Sequence, residues 1–184
     1  MRGAVLLALG VGLLVAGCGS KPPVPKVAEE DKVPETTSDS VVHVGKGQGT
    51  NTEPNGGKSI WDIKWQDADI DPKTRVLTGQ NLSGTIYQNG KPVADYVGGT
   101  GGADNSKKLI VLSRNVQVKS KSENGMTLYC DELKYEGTQG KDGRIRAKGN
   151  VRVVSKEGSI NFASEVYATP DLKQIGLPEV FGKL

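Results

Sequence analysis

Two cysteines and one histidine are the residues of this chain best suited to nucleophilic or metal chemistry, and their placement narrows what chemistry is available. Cys18 follows Val15-Ala16-Gly17, with small residues crowded before it at the end of an apolar run. Cys130 closes the strand-like run Met126-Thr127-Leu128-Tyr129-Cys130 and reads as a small core residue. His43 sits apart in a stretch rich in Pro, Gly and Thr, so no Ser-His, Cys-His or His-rich metal cluster is expected. The carboxylates are scattered over turns and strand exteriors. Neither catalysis nor a cofactor is expected from these residues.

The segment ahead of Cys18 explains its setting. Arg2 and the terminal amine precede an apolar run from Ala4 to Ala16. At about 13 residues this run is shorter than the roughly 20 a spanning helix needs, and it reads as an export signal. Val15-Ala16-Gly17-Cys18 resembles the lipobox of bacterial lipoproteins, which implies cleavage before a Cys18 that carries diacylglycerol. Two or three acyl chains on one residue make a stable anchor, because each buried methylene contributes about 0.8 kcal/mol. The expected location is periplasmic, lipid-anchored to the inner or the outer membrane, with residues 1–17 as signal peptide. Export also argues against nucleic acid as a partner.

Charge is unevenly spread. Residues 21–71 hold 6 Lys/Arg against 10 Asp/Glu, whereas residues 107–156 hold 12 against 5. The basic half suits an anionic partner such as a phosphorylated lipid, or is simply a solvated face.

The elements that must carry these features fall in two parts. Residues 18–58 are rich in Pro, Gly, Glu, Lys and Thr and read as a lipidated, flexible linker. From 59 to 184, two-residue alternation punctuated by Gly, Asn and Asp turns predicts an all-β domain. Trp61, Ile63 and Trp65 share one strand face, Asn89-Gly90 predicts a type I′ hairpin, and Gly98–Gly102 reads as a flexible turn. Arg144–Ser155 reads as one strand with Ile145, Ala147, Val151 and Val153 on one face and Arg144, Arg146, Lys148 and Arg152 on the other. A turn at Lys156-Glu157-Gly158 leads to Ile160, Phe162 and Val166, whose alternation predicts pairing with that strand.

Leu112-Ser113-Arg114-Asn115-Val116-Gln117-Val118 is echoed by Ala147-Lys148-Gly149-Asn150-Val151-Arg152-Val153, about 35 residues on. These units, the strands containing Glu132-Leu133 and Glu165-Val166, and the closing Ile175-Gly176-Leu177-Pro178 resemble the OstA-like superfamily. The segment around Gly90-Lys91-Pro92-Val93 resembles its LptC branch, which belongs to lipopolysaccharide export. The better-known LptC form carries a transmembrane helix where this chain has a lipobox.

The resemblance implies a twisted β-jelly-roll of stacked antiparallel strands, open along one side. Its apolar interior would take acyl chains of lipopolysaccharide or a related glycolipid. It further implies edge-strand contacts with an LptA-like periplasmic protein and with the membrane subunits of an ABC transporter. The expected groove residues are Met126, Leu128, Ile145, Ala147, Val151, Val153, Ile160, Phe162 and Val166, with Arg146, Lys148 and Arg152 as candidate phosphate contacts. The alternative is a structural or envelope-binding β-lipoprotein with a dry core and no lipid ligand.

Overall fold

The computed structural model describes residues 32–36, 40–53, 57–123, 125–137, 143–162 and 164–181. The expected signal peptide, Cys18 and the expected linker up to residue 31 lie outside them. The strands are β1 (Val42–Val44), β2 (Gly47–Thr52), β3 (Ser59–Trp65), β4 (Asp67–Asp71), β5 (Val76–Gln88), β6 (Lys91–Asp104) and β7 (Leu109–Ser120). They continue with β8 (Thr127–Glu136), β9 (Arg144–Lys148), β10 (Arg152–Ser155), β11 (Gly158–Asn161), β12 (Glu165–Ala168) and β13 (Ile175–Gly176). One helical turn, α1 (Pro178–Phe181), follows. The fold is all-β, a single open antiparallel sheet, as the alternation predicts.

Turn chemistry makes this sheet a meander. Asn89 and Gly90 both have positive φ (55° and 77°) and join β5 to β6, the type I′ geometry that Asn-Gly favours. The β4–β5 and β6–β7 turns share another device. Asp71 Oδ1 accepts the Lys73 and Thr74 N–H groups, and Asp104 Oδ1 accepts those of Ser106 and Lys107. Each of these turns ends on a left-handed cation, Arg75 or Lys108.

A line of irregularities crosses the meander and gives the sheet its shape. Seen along it, β1 and β2 are the two halves of one long strand interrupted at Gly45-Lys46, and β4 and β3 are halves interrupted at Gln66, each half paired with its opposite. Register shifts at Val97/Thr100 and Ser113/Val116 continue the line, and Gly149-Asn150-Val151 separates β9 from β10. Asn81, Arg114, Asn115, Gly149 and Asn150 on this line all have left-handed backbone. Bulges bend strands and sharpen their twist, so a row of them creases the whole sheet. The two leaves then face each other. Asn51 of β2 donates from Nδ2 to the Asn105 carbonyl, which follows β6 on the opposite leaf, at 2.9 Å. The apolar faces of both leaves form one core, with Trp61, Leu82, Ile86 and Leu128 on one leaf and Ile110, Leu112, Leu133 and Ile145 on the other, all 2% exposed or less.

The sheet does not close on itself. It runs from β1 and β2 at one edge to β11 and β13 at the other, and each of these edge strands has one neighbour.

Three sequence expectations are corrected here. β1 and β2 lie within residues 18–58, the expected linker, and Val33 and Pro34 pack beside Gly102. The reason is local: a Cβ on Gly47 would sit 2.6 Å from the Trp65 ring, so a glycine-bearing strand fits against the indole where bulkier residues would not. Gly98–Gly102 is no flexible turn but the interior of β6, where a Cβ on Gly101 would meet the Val111 carbonyl oxygen at 2.2 Å. Arg144–Ser155 is two strands, broken at the crease. Its pairing with the following segment holds in both halves, Val153 opposite Ile160 and Ala147 opposite Val166.

Candidate functional site

The expected groove residues divide into three groups. Leu128, Ile145, Ala147, Val151 and Val166 are 1% exposed or less, and Val153 is buried. They converge from both leaves, but as sealed core rather than as the wall of an open groove. Met126 and Phe162 are half-buried and pack against that core. Ile160 is 62% exposed, because β11 has β10 on one side and no strand on the other. It shares a face with Val153 and Leu128, its successive cross-strand neighbours, so an apolar row leaves the core and ends at the open edge.

The expected cationic face is largely neutralised by its neighbours. On the outer surface β9 lies between β8 and β12, which set Glu136 opposite Arg144, and Glu132 and Glu165 on either side of Lys148. Arg146 donates to Glu165 Oε2 at 2.7 Å, and this bond holds the Glu165 carboxyl below its ordinary range despite partial burial. The Arg152 guanidinium lies 4.8 Å from the centroid of the Tyr129 ring, and that of Arg144 lies 5.6 Å from the rings of both Tyr167 and Phe181. Arg146 and Lys148 on β9 thus lie on the outer face of one leaf and Arg152 on β10 on the outer face of the other, all three beside carboxylates or rings and separated from the apolar interior by the sheet.

An apolar cavity of about 250 Å³ opens at the opposite end of the molecule, between the leaves. Trp61, Ile63 and Trp65 contribute its wall from β3, and Ile70, Val76, Leu77 and Ala103 from β4, β5 and β6. The strand alternation that places both indoles on one face is the sequence signal for this wall; what alternation does not reveal is that the facing leaf stops short of filling the space. Trp65 Nε1 donates to the Gly45 carbonyl at 2.9 Å. Two buried polar atoms in the lining residues have no partner: Trp61 Nε1 and Asp71 Oδ2. Burial opposes ionisation of Asp71, but hydrogen bonds from Thr74 and Lys73 and the Lys73 charge outweigh it and hold the carboxyl below its ordinary value.

No protein-family model matches this chain, and no curated protein matches it.

Two shallower hollows lie on the surface. One, about 320 Å³, is lined by Val33, His43, Asp67, Asp69 and Thr78; the other, about 400 Å³, by Lys91, Lys121, Lys173 and Asp171. His43 Nδ1 lies 2.9 Å from Asp69 Oδ1, and Lys121 and Lys173 are paired with Asp95 and Asp171. Their polar groups thus largely satisfy one another. Cys130 is buried and its thiol is pushed up to about 12, first by burial and then by the Asp131 charge, which disfavours the thiolate near neutral pH.

Proposed function

We propose that this chain is a lipid-anchored envelope protein of lipopolysaccharide export, one that takes acyl chains between its two leaves and passes the lipid to a neighbouring β-jelly-roll. The observation that carries this reading is the open sheet: an apolar interior lies between leaves joined along one crease, and the first and last strands do not pair. Leaves hinged in this way can part without breaking the backbone ladder that links consecutive strands. The lipobox-like Val15–Cys18 and the signal ahead of it agree with a place in the envelope. In the closed state the interior has room for only part of one chain, since 250 Å³ falls below the usual range of about 300–1,000 Å³ for small-molecule pockets. Loading a multi-chain lipid therefore requires the leaves to separate. Each methylene brought in contributes about 0.8 kcal/mol.

The sealed core favours a second reading. Leu128, Ile145, Ala147, Val151 and Val166 are 1% exposed or less, the burial expected of the dry core of a structural lipoprotein that binds other envelope proteins. Photo-crosslinking side chains placed in the full chain at Ile63, Leu128 and Val166, with outward-facing Lys119 as control, separate the two in living cells. Adducts with lipopolysaccharide at the inner positions and none at residue 119 are expected of the carrier. Folded variants without lipid adducts at any inner position would overturn it in favour of the structural protein.

A further inference from the structure

Away from the crease, the tips of the two leaves are fastened together. On the β2 side Asn51 reaches Asn105. On the β12 side the fastening is the turn that joins β12 to β13. Ser120, at the end of β7 on the leaf of Leu128, donates from Oγ to the Asp171 carbonyl at 2.7 Å, whereas β12 is paired through Ala168 with Ile145 on the other leaf.

That turn is a unit of its own. The Leu172 N–H donates to the Thr169 carbonyl at 2.9 Å, across a Pro170 that favours the bend, and the Thr169 N–H donates to the Gln174 carbonyl at 3.0 Å. Thr169 Oγ1 donates to Asp171 Oδ1, which also accepts the Lys173 N–H, and it accepts the Gln174 N–H in return. A turn that satisfies its polar groups from within can move as one body without losing these bonds. It is joined to the sheet by a short ladder, Tyr167 opposite Gly176 and Ala168 opposite Ile175. On its outer side the hollow of about 400 Å³ separates it from the β5–β6 hairpin.

Leu172 shows what the turn holds in place. Its φ is 58° and it is 0% exposed, a member of the core between the leaves. Left-handed backbone in a hairpin turn calls for glycine or asparagine. Among the described residues Leu172 is the one aliphatic side chain in this conformation. The turn geometry therefore disfavours leucine, and the burial of its side chain compensates.

We infer that the Thr169–Gln174 turn is a lid on the interior, with Leu172 as its plug, and that it lifts to let a lipid chain pass between the leaves at the β12 end. The inference rests on the lipid-carrier reading and gives that reading its gate. Ser120 to Asp171 is the bond that must open first, and β9 and the strands around it keep their pairing while it does.

Lys121 and Lys173 are exposed on the body side and the lid side of the same hollow, so a bridge between them clamps the lid. The full-length lipoprotein in nanodiscs carries a photo-crosslinking side chain at Leu128, and Lys121→Cys and Lys173→Cys are joined by a bifunctional methanethiosulfonate that dithiothreitol removes. Lipopolysaccharide is added and the sample is flashed at timed intervals. The clamp is expected to abolish adducts and the reductant to restore them, whereas the same two cysteines capped singly load like the natural chain. Leu172→Gly, which keeps the left-handed turn without the plug, should load several-fold faster. A clamped protein that loads at the natural rate, or a Leu172→Gly variant that loads no faster, would overturn the lid while the adducts at Leu128 leave the carrier reading standing. Absence of adducts in every protein, clamped or free, would remove the carrier reading and the lid with it.

Discussion

Asn150 donates from its side-chain amide to Asp131 Oδ2 at 2.7 Å across the crease, and Asn81 makes the equivalent bond to Gln66 Oε1 at 2.6 Å. Both asparagines are left-handed, with φ of 46° and 50°, and each precedes a buried aliphatic residue, Val151 or Leu82. Asparagine tolerates this backbone better than residues other than glycine, and its amide then ties the bend to the next strand. The crease is thus written in side chains as well as in register.

Asn150→Ala removes both contributions. Left-handed backbone costs an alanine about 1–2 kcal/mol and the lost hydrogen bond about 0.5–1.5 kcal/mol. Urea unfolding should place this variant clearly below the natural chain, with Asn150→Gly between them because glycine relieves only the backbone strain. Identical midpoints for alanine and glycine would mean that the conformation is not held at this position.

Gly84 marks a second close approach. Tyr96 crosses β5 at this residue so that its hydroxyl donates to the Asp62 carbonyl on β3 at 2.7 Å. A Cβ on Gly84 would lie 2.1 Å from that carbonyl oxygen and 2.7 Å from the Tyr96 hydroxyl. Gly84→Ala is expected to cost about 1–3 kcal/mol, as overpacking does, measured by thermal or urea unfolding. Tyr96→Phe in the same background should recover part of that loss by removing the displaced hydroxyl.

Much of this fold is legible in the sequence for definite reasons. Alternation of Trp61, Ile63 and Trp65 gave the face of β3, and Asn89-Gly90 gave the turn after β5, because both signals are local. The echo between Leu112–Val118 and Ala147–Val153 is the crease itself: Arg114-Asn115 and Gly149-Asn150 are left-handed, and Leu112, Val116, Ala147 and Val151 are buried around them. Gln80-Asn81-Leu82 is a third instance that the alternation alone does not single out. What could not be read was long-range. Whether β11, which carries Ile160, has a second neighbour, and whether acids flank Lys148, depends on strand order. The end cavity arises where two distant leaves fail to meet. Glycines were misread twice, at β2 and in β6, because composition treats them as flexible whereas here they make room for Trp65 and for the backbone of β7.

Cys130 offers a probe of core integrity. Its thiol is buried and held near 12, so a thiol-specific reagent near neutral pH should label the folded chain only as fast as it opens. Full labelling is expected in denaturant. Rapid labelling of the folded chain would mean that the leaves separate readily around β8.

Glu165 provides the pH dependence. Its folded pKa lies below the ordinary value of 4.5, chiefly through the Arg146 hydrogen bond, so its stabilisation is present above that value and is lost as pH falls through the folded pKa. Glu165→Gln should therefore be less stable than the natural chain near neutral pH, with the gap closing in acid below the ordinary carboxylate range. A gap that persists unchanged at the acid end would assign the loss to packing rather than to ionisation.

Asn51 tests the hinge. It is 6% exposed, and its amide donates to both the carbonyl and the Oδ1 of Asn105 on the facing leaf, at 2.9 and 3.0 Å. These bonds stand beside the end cavity, which Asn105 also lines. Asn51→Ala severs them and should lower stability by about 1–3 kcal/mol. If the leaves must part for a chain to enter, the same variant should admit a bromine-bearing chain faster, read as a higher rate of quenching of Trp61 and Trp65 at unchanged final amplitude. Slower or unaltered quenching, in a variant shown by urea to be weakened, would mean that chains reach the cavity without leaf separation.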